Sequence, residues 1–138
     1  MVEATQTKIR RVAVLGASGR MGSEAVKAIT DAPDFELVAA LGREDSLEKL
    51  VETNAEIMVD LTVPSATETN VRFAVEHGVH AVVGTTGWTE ERVESLRELL
   101  DEHPQVGVLI APNFALGSIL ATEFAAKAAP YFESIEII

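Results

Sequence analysis

Gly16, Gly19 and Gly22 stand three residues apart, behind the apolar run of residues 12–15. They are followed by an amphipathic stretch with Met21, Ala25, Val26 and Ile29 on one face. Strand, tight turn and helix form the context in which such glycines bind a dinucleotide. Gly16 supplies a turn conformation that a side chain opposes. Gly19 lets the backbone approach a pyrophosphate, and Gly22 lets the helix pack closely on the strand. The unpaired N–H groups at the helix start and its positive dipole end then make an anion site. Gly16, Ala17, Ser18, Gly19, Arg20 and Met21 are its candidate residues. Ala17 stands where G-x-G-x-x-G would have its first glycine, which leaves the looser G-x-x-G-x-x-G. Arg20 in the first helical turn opposes the dipole at a cost of about 0.3–1 kcal/mol, a sign that a bound anion reverses. A solvated arginine is the alternative.

The elements that must hold these residues alternate regularly. Residues 9–15 read as a first strand, and residues 19–32 as a helix closed by Pro33. A second strand covers 35–41, and Asp45 with Glu48 resembles a capping box opening a short helix through Val51. Residues 56–61 form a third strand. Ser65 and Glu68 make a second capping box, with Val71, Ala74 and Val75 inward and Gly78 at the C-terminal cap. A fourth strand spans 79–83. Thr89 caps a helix with Val93, Leu96 and Leu100 inward, ended by His103 and Pro104. A fifth strand covers 106–111. Ile119, Leu120, Phe124 and Ala128 mark a further helix stopped by Pro130, and a sixth strand is expected over 134–138.

Such alternation with near-continuous apolar strands predicts an α/β, doubly wound (Rossmann) parallel sheet of about six strands with helices on both faces. The expected order is 3-2-1-4-5-6, with the ligand crevice beyond the ends of the first and fourth strands. The least typical loops lie at those carboxyl ends: 16–21, Gly42 with Arg43, 60–64, 84–87 and 111–114.

The chain has 138 residues, 47% of them hydrophobic, a formal net charge of −11 and no cysteine. That fits one domain over residues 9–138 behind a loose polar tail over residues 1–8. The acidic balance argues against nucleic acid and anionic membrane surfaces as partners. No apolar run approaches the ~20 residues of a membrane span, and the cytoplasm is the default location. Absence of cysteine excludes disulfides and thiolate metal sites. No Ser-His-Asp constellation or metal-ligand cluster appears, so neither catalytic nor metal residues are assigned.

The end of the second strand bears on cofactor type. An NAD-binding domain usually carries Asp or Glu about 20 residues past the glycines, on the adenosine ribose. Here Gly42 stands in that place and Arg43 follows. Losing the carboxylate removes a repulsion to a 2′-phosphate. The guanidinium offers charge-assisted hydrogen bonds worth roughly 1.5–3 kcal/mol. NADPH is the preferred cofactor on this reading and NADH remains possible. The alternative is a solvated Arg43, with Glu44 or Asp45 taking the acid's role.

Four segments together resemble one family. They are residues 14–22, Asp60-Leu61-Thr62-Val63-Pro64, Val82-Val83-Gly84-Thr85-Thr86-Gly87 and Ile110-Ala111-Pro112-Asn113-Phe114-Ala115-Leu116-Gly117. The chain is similar to the cofactor domain of the 4-hydroxy-tetrahydrodipicolinate (dihydrodipicolinate) reductases of lysine and diaminopimelate biosynthesis. The resemblance implies hydride donation from NADH or NADPH to a cyclic imine-type dicarboxylate. It assigns the pyrophosphate to residues 16–21 and the adenosine ribose or its phosphate to Arg43. Asp60 and Thr62 join the cofactor site, Gly84, Thr85 and Thr86 lie along the nicotinamide, and Thr86 also meets the substrate. Ala111, Pro112, Asn113 and Phe114 close over the nicotinamide. The family's catalytic stretch, E-L-H-H-x-x-K-x-D-A-P-S-G-T, is expected to follow Ile138. The chain therefore reads as the cofactor half, with the substrate domain absent and a homo-oligomer, a tetramer by resemblance, expected only with that domain. Two other readings stay open: a non-catalytic NADP(H)-sensing module, and the cofactor domain of another two-domain amino- or sugar-acid dehydrogenase.

Overall fold

The structure is a computed structural model that describes residues 7–111, 116–134 and 136. In chain order it runs β1 (Arg10–Leu15), α1 (Arg20–Asp31), β2 (Phe35–Leu41), α2 (Lys49–Glu52) and β3 (Ile57–Asp60). It continues with α3 (Pro64–Glu76), β4 (His80–Val83), α4 (Glu90–Glu102), β5 (Val108–Ile110) and α5 (Leu116–Ala128), then one 3₁₀ turn (Ala129–Tyr131).

The strands make a five-stranded sheet in the order β2-β1-β3-β4-β5, parallel throughout. Two expectations are corrected here. The described residues at the sixth position, Ser134 and Glu136, lie in no strand; the others there fall outside the described residues. The third strand pairs directly with β1 instead of lying beyond β2. Burial accounts for that placement. Met58 and Asp60 of β3 are fully buried, while Phe35 and Glu36 of β2 are exposed, so β3 takes the interior and β2 an edge. The sheet is still doubly wound, but its switch point lies between β1 and β3.

Registered rows run across the strands. Ala13, Met58, Ala81 and Val108 form one, and Leu41, Leu15, Asp60, Val83 and Ile110 the next. Side chains two apart share a face, so both rows meet Leu50 of α2, Val71, Ala74 and Val75 of α3, and Leu96 and Leu99 of α4 in the main core. α1 packs on β1 and β2, and Val12 and Val14 are buried outside that main cluster. A right-handed crossover that reverses its direction of travel changes face, which sets α1 apart from α2–α4.

Coverage of the α1 face is incomplete. Leu109 in β5 is 60% exposed, and Ile119, Leu120 and Phe124 of α5 are exposed rather than inward. Helices lie on both faces as expected, and among the described residues α1 is the helix that covers this second face, over β1 and β2.

Local signals fared unevenly. Thr89 caps α4 through Oγ1, which accepts the Arg92 N–H at 3.3 Å. α3 ends as expected: Gly78 has φ +74, its N–H meets the Val75 carbonyl, and the Val79 N–H meets that of Ala74. Neither capping box forms. Pro64, with its preset φ, opens α3 ahead of Ser65, and Glu68 pairs with Arg92. Asp45 bonds the Gly42 N–H and Lys49 instead of capping α2.

Candidate functional site

Beyond the carboxyl ends of β1, β2 and β3 lies a crevice of about 410 Å³. Gly16, Ser18 and Gly19 supply one wall. Leu41, Gly42, Arg43, Asp45 and Leu47 supply a second, and Leu61, Thr62, Val63, Ala66 and Asn70 a third. Its size suits a small-molecule site, and it sits where ligands bind open α/β sheets.

The glycine turn is built by backbone constraints. Gly16 adopts φ +76, and a Cβ there would stand 2.8 Å from the Leu61 carbonyl carbon. Its N–H and that of Ala17 both donate to the Leu41 carbonyl, at 3.0 and 3.1 Å, which ties the turn to β2. A Cβ on Gly22 would stand 2.6 Å from the Gly16 carbonyl carbon, so α1 lies directly on the turn. Gly19 is different. A Cβ there meets only the Gly16 oxygen, at 3.3 Å, and Gly19 is exposed in the crevice wall. As N-cap of α1 it offers no side-chain cap to the helix. The free first-turn N–H groups and the helix dipole make that end anion-seeking.

At the other end of the crevice, Arg43 is exposed and makes no hydrogen bond or ion pair among the described residues. The Asp45 carboxylate accepts from the Gly42 N–H at 2.8 Å and from Lys49 Nζ at 2.9 Å. The Gly42 N–H, and secondarily Lys49, hold the Asp45 carboxyl below the usual carboxylate range. Its negative charge is therefore met by Lys49, while the Arg43 charge is not countered.

A polar cluster lies beneath the third wall. Asp60 is fully buried in an otherwise apolar row. Its Oδ1 accepts from the Thr62 N–H (3.0 Å), the Thr62 hydroxyl (2.6 Å) and the Thr85 hydroxyl (3.1 Å). Its Oδ2 accepts from Asn70 Nδ2 at 3.4 Å. Above it, Arg92 donates to the carbonyls of Pro64 (2.9 Å) and Gly87 (3.2 Å) and pairs with Glu68.

The sequence-assigned site residues separate accordingly. Gly16, Ser18, Gly19, Arg43 and Thr62 meet in the crevice lining, and Ala17, Arg20 and Met21 belong to the adjoining turn and first helical turn. Asp60 and Thr85, fully buried and 5% exposed, lie under the loops rather than in the lining. Gly84 and the exposed Thr86 follow β4, with the Gly84 N–H on the Asp60 carbonyl at 2.9 Å. Ala111 follows β5 and donates to the Val83 carbonyl. Pro112, Asn113 and Phe114 lie outside the described residues. Leu47, Ala66 and Asn70 were missed. Of these, Asn70 alone left a signal, as a polar residue on the face of α3 that Val71 and Ala74 bury.

A larger recess of about 610 Å³ lies at the opposite strand ends, among Arg10, Arg11, Asn54, Glu56, His77 and His80. Its cations converge on Glu56, which Lys8, Arg10 and Arg11 all approach within 4.0 Å. The Arg11 N–H and then Lys8 hold the Glu56 carboxyl at about 2. His77 Nδ1 bonds the Phe73 carbonyl, His80 Nδ1 accepts from the Gly107 N–H, and His103 Nδ1 bonds the Leu99 carbonyl. Each ring is held by backbone, away from the crevice. Among the described residues no group of three His, Cys, Asp or Glu side chains could hold a metal ion, and no helix is long and apolar enough to cross a membrane.

Residues 10–114 match the family model described as dihydrodipicolinate reductase, N-terminus. The chain is 58% identical over 128 residues to the 4-hydroxy-tetrahydrodipicolinate reductase of Streptomyces griseus, covering 93% of this chain and 51% of that protein. The reductase of Corynebacterium urealyticum is 51% identical, with 93% and 52% covered. The chain thus spans about half the length of the curated relatives it matches. Among solved structures it is similar to a dipicolinate-bound dihydrodipicolinate reductase from Paenisporosarcina sp. TG-14. That match has 32% identity and TM-score 0.78, over 90% of this chain and 55% of that one. Myo-inositol 2-dehydrogenase from Lactobacillus plantarum shares the fold alone, at 13% identity and TM-score 0.67, over 88% and 42% of the two chains. With residues 10–114 matching that family model and these relatives 51–58% identical over 128 residues, this chain belongs to the dihydrodipicolinate reductase family, as its N-terminal domain.

Proposed function

We propose that this domain binds NADPH in preference to NADH and presents it for reduction of 4-hydroxy-tetrahydrodipicolinate. The observation that carries the reading is the meeting of two anion-seeking features in one crevice: the uncapped start of α1 and the uncommitted Arg43. A dinucleotide laid across the switch point would set its pyrophosphate against Gly16–Gly19 backbone and its adenosine ribose near Gly42 and Arg43. Lys49 answers the charge of Asp45, which lowers the repulsion that carboxylate would exert on a 2′-phosphate. The nicotinamide half would then lie toward Thr62, Gly84 and Ala111, with the exposed Thr86 offering a hydroxyl to a substrate carboxylate.

The bound cofactor, when reduced, supplies a hydride. The protein's own contribution is orientation: glycine backbone, helix end and Arg43 fix one half, so that the loops after β3 and β4 can fix the other. The reductases named above carry about as much chain again, and we assign the gripping and protonation of the dicarboxylate to that part of the protein.

Calorimetric titration with both cofactors tests this. Arg43→Ala is expected to weaken NADPH by about 1.5–3 kcal/mol and leave NADH nearly unchanged. Equal losses would remove the 2′-phosphate from Arg43. A parent chain that binds neither cofactor would sink the whole reading.

A further inference from the structure

We propose that Asp60 is a positioning residue for the nicotinamide half of the cofactor. It acts through Thr62 and Thr85 and touches no ligand itself. The inference rests on the cofactor reading above, and it starts from a residue out of place. Asp60 occupies a row otherwise made of Leu41, Leu15, Val83 and Ile110, fully buried and with no cation bonded to it among the described residues. For stability alone an apolar side chain would serve better, because burying a carboxylate is costly unless every lone pair is met. What the carboxylate provides is connection. Its acceptors gather donors from three separate segments: Thr62 after β3, Asn70 inside α3 and Thr85 after β4.

The two loops so joined are also locked from outside. Arg92 reaches the carbonyls of both Pro64 and Gly87, and Gly87, at φ +95, lies so close that a Cβ would stand 2.6 Å from that of Pro64. Loops 62–64 and 84–87 are therefore tied to each other on two sides, with Asp60 at the inner joint. A hydrogen-bonded joint at this depth fixes the loops' mutual placement more narrowly than apolar packing, which tolerates repacking.

An amide cannot replace the acid. Asparagine could keep its oxygen on the three donors at Oδ1, but its NH₂ would then face the Asn70 NH₂. Flipping Asn70 relieves that clash and sets its oxygen against the Thr62 hydroxyl, whose one proton is already given to Asp60.

The test compares two ligands, NADPH and 2′-phospho-ADP-ribose, the latter lacking only the nicotinamide. Asp60→Asn, Thr85→Val and the double variant are titrated with each by calorimetry, and ligand-free melting curves are recorded. Each single variant is expected to weaken NADPH about tenfold or more, as loss of a charge-assisted hydrogen bond implies. The double variant should bind no worse than the weaker single within about twofold, because both residues act along one path. Affinity for 2′-phospho-ADP-ribose should stay within about threefold of the parent. Equal loss for both ligands would show that Asp60 only supports the fold, and would overturn the proposal. Parent-like NADPH affinity in the variants, or additive losses in the double variant, would overturn it too. If Asp60→Asn fails to fold, Thr85→Val carries the test alone, since it removes one hydroxyl and keeps the shape. A parent chain that binds neither ligand would instead overturn the cofactor reading itself.

Discussion

Gly19 and Gly22 take different tasks from the sequence, the structure supplies the geometry of each, and two substitutions measure the difference. In Gly22→Ala the new Cβ would stand 2.6 Å from the Gly16 carbonyl carbon and 3.0 Å from Ala17 Cα, both backbone atoms that cannot swing aside. Overpacking of this kind costs about 1–3 kcal/mol or more. Gly22 lies inside α1, so alanine returns up to about 1 kcal/mol of helix propensity. Because the clash is with backbone, the overpacking cost lies at or above the top of that range, and the net expectation is a loss of about 2 kcal/mol or more, read as a fall in Tm of about 6 °C or more for a domain of this size. Gly19 sits at φ −73, which any residue adopts, and its Cβ would meet only one oxygen, at 3.3 Å. The smaller entropy of the unfolded valine chain offsets that contact by about 0.4–1 kcal/mol. Gly19→Val should therefore melt within about 3 °C of the parent while its methyl groups occupy the crevice wall. NADPH affinity should fall at least about a hundredfold, or roughly 2.8 kcal/mol. Differential scanning calorimetry without ligand and titration calorimetry with NADPH read the two effects separately. A Gly19→Val chain that binds NADPH like the parent would refute the assignment of Gly19 to the pyrophosphate. A Gly22→Ala chain that melts like the parent would refute the close seat of α1 on the turn.

Three further outcomes follow from the same structure. The Glu56 carboxyl is held at about 2, below its usual 4.5, first by the Arg11 N–H and then by Lys8. A depressed pKa means stability that is present above about 4.5 and lost as pH falls toward about 2. Glu56→Gln should flatten the dependence of Tm on pH across that window, and an unchanged profile would show that Glu56 is not its source. With NADPH at a hundredfold excess over its Kd, the chain should gain about 2.7 kcal/mol of stability. The same 138-residue polypeptide should show no substrate-dependent NADPH oxidation above background, because its histidines are tied to backbone far from the crevice. Measured turnover would overturn the division of labour between this domain and the rest of the protein.

Much of this is legible in the sequence. Strand, glycine turn and helix follow from local chemistry: β-branched runs, spaced glycines and a threonine cap at Thr89 each act over a few residues, and a linear pattern records them. The family likeness was legible too, because it rests on the residue types and spacing of segments 60–64, 82–87 and 110–117. What failed was whatever depends on distant segments. Strand order turned on which strand could bury both faces, so the buried β3 displaced the expected order and moved the switch point. Glu68 looked like half of a local capping box but pairs across the helix pair with Arg92; Asp45 is the local exception, its oxygens taken by the nearby Gly42 N–H and Lys49. Asp60 looked like one more loop residue in the cofactor's path. Only the sheet register puts it in an apolar row, and only the approach of α3 and the loop after β4 surrounds it with donors. By itself the sequence determined the elements, the glycine turn and the family, since these rest on contacts between near neighbours in the chain. The tertiary structure decided the strand order and surrounded Asp60 with donors from three segments, because those facts depend on atoms brought together across the sheet.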